Sequence, residues 1–123
     1  MTKKILLVDD EPLVVQLMQQ RFESQDWEVE TAQEGQDAFE KAKTYQPDVI
    51  VLDIAMPGLN GYEVCRRLKE DEMTKHIPVI MFTALQEVRL EERAARAGAA
   101  RLVQKPFVNH LSKAIEEILS QSR

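Results

Sequence analysis

Five side chains that could bind a metal ion or take part in catalysis lie where short apolar runs of the sequence end. Asp9 and Asp10 follow the first apolar run, and Asp53 follows the third. Thr83 follows the fourth run, and Lys105 comes just after the fifth. Ligands of open parallel sheets bind beyond the carboxyl ends of the strands. If the runs are parallel strands, we therefore expect these side chains to meet at one edge of the sheet.

Such a set of side chains suits metal-assisted phosphoryl chemistry. Clustered carboxylates repel one another, and a hard divalent cation relieves that repulsion. Mg²⁺ prefers a few carboxylate oxygens together with water and substrate phosphate, so Asp9, Asp10 and Asp53 are candidate ligands. Asp53 is also a candidate nucleophile that would form an acyl phosphate. Lys105 offers a compact positive charge, and Thr83 a hydroxyl donor, for the phosphoryl oxygens.

The elements that must position these residues alternate along the chain as strand and helix, five times over. The apolar runs that predict strands lie at residues 5–8, 29–32, 49–52, 79–82 and 102–103. The predicted helices start at about Pro12, include residues 38–42, and cover about 61–71, 86–97 and 109–120. Continuous apolar runs are typical of strands covered on both faces. We therefore expect an α/β fold, with a doubly wound parallel sheet between two layers of helices.

The composition of the chain argues against several classes of protein. The 123 residues are 44% hydrophobic and 30% charged, as expected for one globular domain over residues 1–123. The net charge of −5 argues against direct binding of nucleic acid, which needs a basic surface. The one cysteine, Cys65, cannot form an internal disulfide. The apolar runs are too short for a signal peptide or a membrane span, so we expect a cytoplasmic protein.

Taken in order, the motifs resemble those of the receiver domains of two-component response regulators, the chemotaxis-type fold. The resemblance is carried by ILLVDDEP at residues 5–12, DIAMPGLNG at 53–61, IPVIMFTA at 77–84, AGA at 97–99 and KPF at 105–107. It covers essentially the whole chain. It implies a flavodoxin-like fold, with five parallel strands in the order 2-1-3-4-5 and five helices.

The resemblance also implies what the acidic residues do. Asp53 would be the phosphoacceptor. Mg²⁺ would be the cofactor, held by Asp9, Asp10, Asp53 and the backbone carbonyl of Ala55. The chain would act as a signalling switch in a phosphorelay rather than as a turnover enzyme, although it would assist its own phosphorylation and dephosphorylation.

Further implications concern the signal. Lys105 would pair with the phosphoryl group, Thr83 would turn toward it, and the peptide bond before Pro106 would be cis. Receivers often have an aromatic residue where this sequence has Leu102, and an acidic pair at residues 100–101. We therefore expect Thr83 and the loop after it to carry the signal, with Leu102 as a packing residue.

The partners follow from the same resemblance. A histidine kinase or histidine phosphotransfer protein would supply the phosphoryl group, and a downstream protein would receive the signal. Phosphorylation would switch the surface around helix 4, strand 5 and helix 5, which is also where a homodimer would form. Direct contact with nucleic acid or a membrane is not expected.

Alternative explanations remain open at this stage. Asp10 is also a plausible N-cap of the first helix. An aspartate-nucleophile phosphatase would need a second aspartate where Ala55 stands, and a nucleotide-binding module would need a glycine-rich loop after the first strand. A degenerate receiver that only binds partners would lack an acidic residue or Lys105, and both are present. His76 and His110 have no acidic or cysteine residues at metal-ligand spacing.

Overall fold

The computed structural model describes residues 2–121, and over that range the chain forms five strands that alternate with five helices. The strands are β1 (Lys4–Val8), β2 (Glu28–Ala32), β3 (Val49–Leu52), β4 (Val79–Thr83) and β5 (Arg101–Gln104). The helices are α1 (Pro12–Ser24), α2 (Gly35–Tyr45), α3 (Gly61–Glu70), α4 (Leu90–Arg96) and α5 (Val108–Gln121).

The sheet is parallel throughout and has the strand order β2-β1-β3-β4-β5, which confirms the expected fold. Ile5 of β1 pairs with Val29 of β2 on one side and with Val49 of β3 on the other. The order of strands reverses between β1 and β3. The carboxyl ends of these two strands therefore flank the crevice in which ligands of such sheets bind.

Two apolar cores lie on opposite faces of the sheet, because successive strand residues point to opposite sides. Ile5 and Leu7 of β1 pack in the core shared with α1 and α5. Leu6 and Val8 pack in the core shared with α2, α3 and α4. Both faces are covered, which explains why the sequence of β1 is continuously apolar rather than alternating.

The start of α1 leaves the carboxylate of Asp10 free of a capping role. Pro12 occupies the first turn, as predicted, but the N-cap residue is Glu11 and its side chain makes no capping hydrogen bond to the residues described. The amide of Glu11 instead donates to Asp9 Oδ1 at 3.0 Å. The alternative in which Asp10 only caps this helix was therefore wrong.

Helix α4 is shorter than predicted and begins four residues later, at Leu90 rather than residue 86. Extending it backwards would place Glu87 beside Glu91 and Arg89 beside Arg93, each pair one helical turn apart. Like charges at that spacing repel each other. Arg89 instead adopts a left-handed backbone conformation, with φ of 63°, that stops the helix at this point.

Candidate functional site

The carboxyl ends of four strands bring the predicted residues together. Asp9 follows β1, Asp53 follows β3, Thr83 ends β4 and Lys105 follows β5. Asp9 and Asp53 are each only 5% exposed, and Thr83 is fully buried. Charged groups are seldom buried to this extent without partners, so the arrangement needs a compensating cation.

Lys105 supplies that positive charge. Its Nζ donates to Asp9 Oδ2 at 2.6 Å and to Asp53 Oδ2 at 3.2 Å, and it lies 3.9 Å from Glu11 Oε1. The side chain of Lys105 is 11% exposed, so the ion pairs are largely shielded from water. The Lys105–Pro106 peptide bond is cis, as the family resemblance implied.

The backbone around Asp53 fixes the position of its carboxylate. The amide of Asp53 donates to Val8 O at 3.0 Å, which extends the β1–β3 pairing by one residue. The amide of Ile54 donates to Asp53 Oδ1 at 2.8 Å, while Gly61 N donates to Ile54 O at 2.8 Å. A β-carbon on Gly61 would collide with backbone atoms of Asp53 and Ile54. Glycine at the start of α3 thus lets this helix approach the end of β3 closely.

Opposing effects act on the pKa of Asp53, and their net result is to raise it. Burial raises the pKa of Asp53; Lys105 lowers it, Asp9 raises it, and the Thr83 hydroxyl also lowers it. The opposite logic applies to Lys105. Burial lowers the pKa of Lys105, but hydrogen bonding and attraction to Asp9 and Asp53 outweigh burial, so that its pKa is raised. The ammonium is therefore held charged between the two carboxylates.

A metal ion fits the acidic side of the site. One carboxylate oxygen from each of Asp9, Asp10 and Asp53 lies within 4.8 Å of the other two, and Asp10 is half-buried at the edge of the group. Oxygen donors with a net negative charge are the ligands that Mg²⁺ prefers. The single ammonium of Lys105 leaves this group of three carboxylates with excess negative charge, which a divalent cation would offset. Ligation by the carbonyl of Ala55, an exposed residue, stays a prediction.

Thr83 connects the site to the loop before α4. Its Oγ1 accepts a hydrogen bond from the amide of Leu85 at 3.2 Å, and Gln104 Nε2 donates to Leu85 O at 3.1 Å. Leu102, where receivers often have an aromatic residue, is half-buried and packs against the core that α4 also covers. The sequence did not point to Gln104, although its place at the end of β5, next to Lys105, was the available signal.

Neither the two histidines nor Cys65 belongs to the group of metal-ligating side chains described at the strand ends. His76 and His110 are exposed, and the ring of His110 lies 5.1 Å from that of Phe107. Cys65 is fully buried, and burial raises the pKa of its thiol to about 11. Over residues 2–121, none of the helices combines the length and the apolar character needed to cross a membrane.

Fold and site together define a class of protein. A family model described as the response regulator receiver domain matches residues 5–116. The chain belongs to this family of two-component response regulator receiver domains.

Particular relatives match most of this chain. The response regulator PleD of Caulobacter vibrioides is 40% identical over 107 residues, which is 87% of this chain and 24% of PleD. The alkaline phosphatase synthesis transcriptional regulatory protein PhoP of Bacillus subtilis is 41% identical over 94% of this chain and 49% of PhoP. The chain thus spans half or less of these two relatives. The polar-differentiation response regulator DivK of Brucella abortus is 36% identical over 87% of each chain.

Solved structures agree with this assignment. A response regulator from Chloroflexus aurantiacus superposes with a TM-score of 0.90 at 28% identity, over 98% of this chain and 99% of that one. The chemotaxis protein CheY4 of Vibrio cholerae superposes with a TM-score of 0.88 at 29% identity, over 95% of this chain and 98% of its own.

Proposed function

We propose that residues 1–123 are one receiver domain in which Asp53 accepts a phosphoryl group from a phosphohistidine and thereby switches a signalling surface. The observation that carries this proposal is the pairing of buried Asp53 with the ammonium of Lys105, at 3.2 Å, beside the carboxylates of Asp9 and Asp10. A carboxylate and a phosphoryl group are both negatively charged, so a positive charge beside the carboxylate is needed for the two to approach each other.

The proposed transfer is an in-line displacement at phosphorus. An oxygen of Asp53 forms a bond to phosphorus as the P–N bond of the phosphohistidine breaks, and the electron pair of that bond stays on the imidazole nitrogen, which takes up a proton. Lys105, already 3.2 Å from Asp53 Oδ2, is placed to pair with a phosphoryl oxygen. Thr83 would donate its hydroxyl to another phosphoryl oxygen.

Mg²⁺ is the proposed cofactor, held by Asp9, Asp10, Asp53 and the carbonyl of Ala55. When bound, it would neutralise negative charge on the phosphoryl oxygens. The residues of the chain would position the nucleophile and limit the access of water. The backbone hydrogen bonds of Asp53 and Ile54 fix the position of the nucleophile, and the burial of Asp9 and Asp53 limits access of water.

The proposed phosphodonor is a histidine kinase or a histidine phosphotransfer protein, and the protein acts in the cytoplasm. Exposed apolar side chains beside the site support docking of a protein donor: Leu13 and Leu17 on α1 are 74% and 66% exposed, and Phe107, two residues after Lys105, is 52% exposed. The output is proposed to be a change in the surface of α4, β5 and α5, which would bind a downstream protein or a second copy of the chain. The chain assists its own phosphorylation and dephosphorylation rather than turning over a substrate.

A small acyl phosphate such as acetyl phosphate, with Mg²⁺, tests the proposal by intact mass. We expect one phosphate adduct on the native protein, none on Asp53→Asn, and an unchanged adduct on Asp37→Asn, whose carboxylate lies on α2. Chelation of Mg²⁺ with EDTA should abolish the adduct. A native protein that forms no adduct with Mg²⁺ present would instead support a binding module that keeps the fold without the chemistry.

A further inference from the structure

Helices α3 and α4 are joined by a contact that lies outside the phosphorylation site. The guanidinium carbon of Arg93 on α4 lies 4.4 Å from the centre of the Tyr62 ring on α3, a cation–π distance. Arg93 Nη1 also lies 3.6 Å from Glu87 Oε1, in the segment before α4. We call this set of three side chains the Tyr62–Arg93–Glu87 latch.

The two ends of the latch differ in solvent exposure. Tyr62 is 7% exposed and packs in the core beneath α2, α3 and α4, so its ring is a fixed platform. The side chains of Arg93 and Glu87 are 51% and 44% exposed. The buried hydroxyl of Tyr62 has no hydrogen-bond partner among the residues described. The platform therefore holds Arg93 through the face of its ring rather than through a hydrogen bond.

The segment between Thr83 and α4 has few other restraints. Leu85 is held by hydrogen bonds to the Thr83 hydroxyl and to Gln104. Further along, Val88 is 86% exposed and Arg89 has a left-handed backbone, which a residue with a side chain adopts at some cost. The contacts of Arg93 with Glu87 and Tyr62 therefore add one of the few side-chain restraints on this segment.

We propose that the Tyr62–Arg93–Glu87 latch holds residues 84–89 and α4 in their resting position, and that movement of Thr83 toward a phosphorylated Asp53 opens it. The second part rests on the function proposed above. When Thr83 turns toward a phosphoryl group, its hydrogen bond to the amide of Leu85 is lost. Glu87, which follows Leu85 by two residues, then shifts relative to Arg93, and Arg93 leaves the ring of Tyr62. This receiver has Leu102 in place of an aromatic residue. The contact between Arg93 and Tyr62 would then couple the position of α4 to phosphorylation without an aromatic side chain at residue 102.

Amide hydrogen exchange in the unphosphorylated protein tests the latch itself. Arg93→Ala should speed exchange across residues 84–96 by about two- to fivefold, the factor expected from losing an exposed cation–π contact. Arg93→Lys, which keeps the charge near the ring and near Glu87, should restore much of the protection. The control is Arg96→Ala on the same helix, whose side chain pairs only with Glu92 at 2.8 Å among the ion pairs described. Equal exchange in Arg93→Ala and Arg96→Ala would overturn the latch.

Exchange of the phosphorylated wild type tests the trigger. Protein shown by intact mass to carry one phosphate should exchange over residues 84–96 at the rate of unphosphorylated Arg93→Ala. If the adduct is present and exchange stays slow, phosphorylation does not open the latch and that part of the proposal is wrong. A protein that forms no adduct refutes the proposed function instead, while the comparison of Arg93→Ala with Arg96→Ala still decides whether the latch exists.

Discussion

Replacing Asp53 by asparagine should stabilise the protein in metal-free buffer, even though it removes the proposed phosphoacceptor. Asp53 is 5% exposed, and its carboxylate shares the site with those of Asp9 and Asp10, with oxygens within 4.8 Å of one another. The favourable contact that offsets this crowding is the ammonium of Lys105 at 3.2 Å. Asparagine keeps the size of the side chain and removes its charge.

The size of the effect follows from these distances. With an effective dielectric constant near 20, each repulsion at a separation of no more than 4.8 Å is at least about 3.5 kcal/mol, and the attraction at 3.2 Å is about 5 kcal/mol. Two repulsions against one attraction leave at least about 2 kcal/mol of net repulsion on Asp53, and its burial adds to this. We therefore expect Asp53→Asn to raise the free energy of unfolding by about 1–3 kcal/mol.

Urea unfolding followed by circular dichroism, at neutral pH with EDTA, measures this difference. The midpoint should rise for Asp53→Asn without a change in the m-value. The matched control is Asp37→Asn on α2, whose carboxylate lies 3.3 Å from Lys41 one turn along the helix and is 45% exposed. Losing that exposed pair should lower stability by only about 0.5 kcal/mol or less.

An Asp53→Asn variant that is less stable than the wild type in EDTA would refute the reasoning, because it would mean that Lys105 outweighs both carboxylates. Mg²⁺ provides a second check. A cation that binds the folded wild type raises its stability with the logarithm of the cation concentration once that exceeds the dissociation constant, and the variant has lost one ligand. The advantage of Asp53→Asn should therefore shrink as Mg²⁺ is added.

Three further results are expected. Because the pKa of Asp53 is raised in the folded state, the folded protein holds this proton more tightly than the unfolded chain, whose value is near 3.8. Wild-type stability should consequently fall relative to Asp53→Asn as pH rises from about 3.8 through the folded pKa, which urea midpoints at several pH values would detect. Cys65, with a pKa of about 11 and no exposure, should resist a thiol reagent at pH 8 until urea unfolds the chain, whereas reaction at the unfolded rate in native buffer would contradict its burial. Gly61→Ala should cost about 1–3 kcal/mol by thermal or urea unfolding, since its β-carbon meets the backbone of Asp53 and Ile54; an unchanged midpoint would show that α3 moves freely.

Much of the fold could be predicted because the central strands are continuously apolar. Val49–Leu52 reads as a buried strand from its residues alone, and the structure gives it the same limits. The start of α4 could not be predicted from apolar periodicity. It depends on repulsion between like charges and on the left-handed backbone of Arg89, neither of which the apolar pattern records.

The site was predictable as a set of residues but not as a set of contacts. Strand ends placed Asp9, Asp53, Thr83 and Lys105 at one edge, and the structure brings them there. The sequence did not indicate that Lys105 lies closer to Asp9 than to Asp53, because the choice between two carboxylates depends on side-chain geometry across three strands. The sequence also left two roles open for Asp10, as a metal ligand or as the N-cap of α1. The structure excludes the second, because the N-cap residue is Glu11.

The division of the interior by the sheet also shapes how this sequence can change. Ile5 and Leu6 are neighbours in the chain but belong to different cores, whereas Ile5 and Leu111 share one. Substitutions on opposite faces should combine additively, while those within one face should depend on each other. The layer of α1 and α5 and the layer of α2, α3 and α4 can therefore accumulate core substitutions independently of each other.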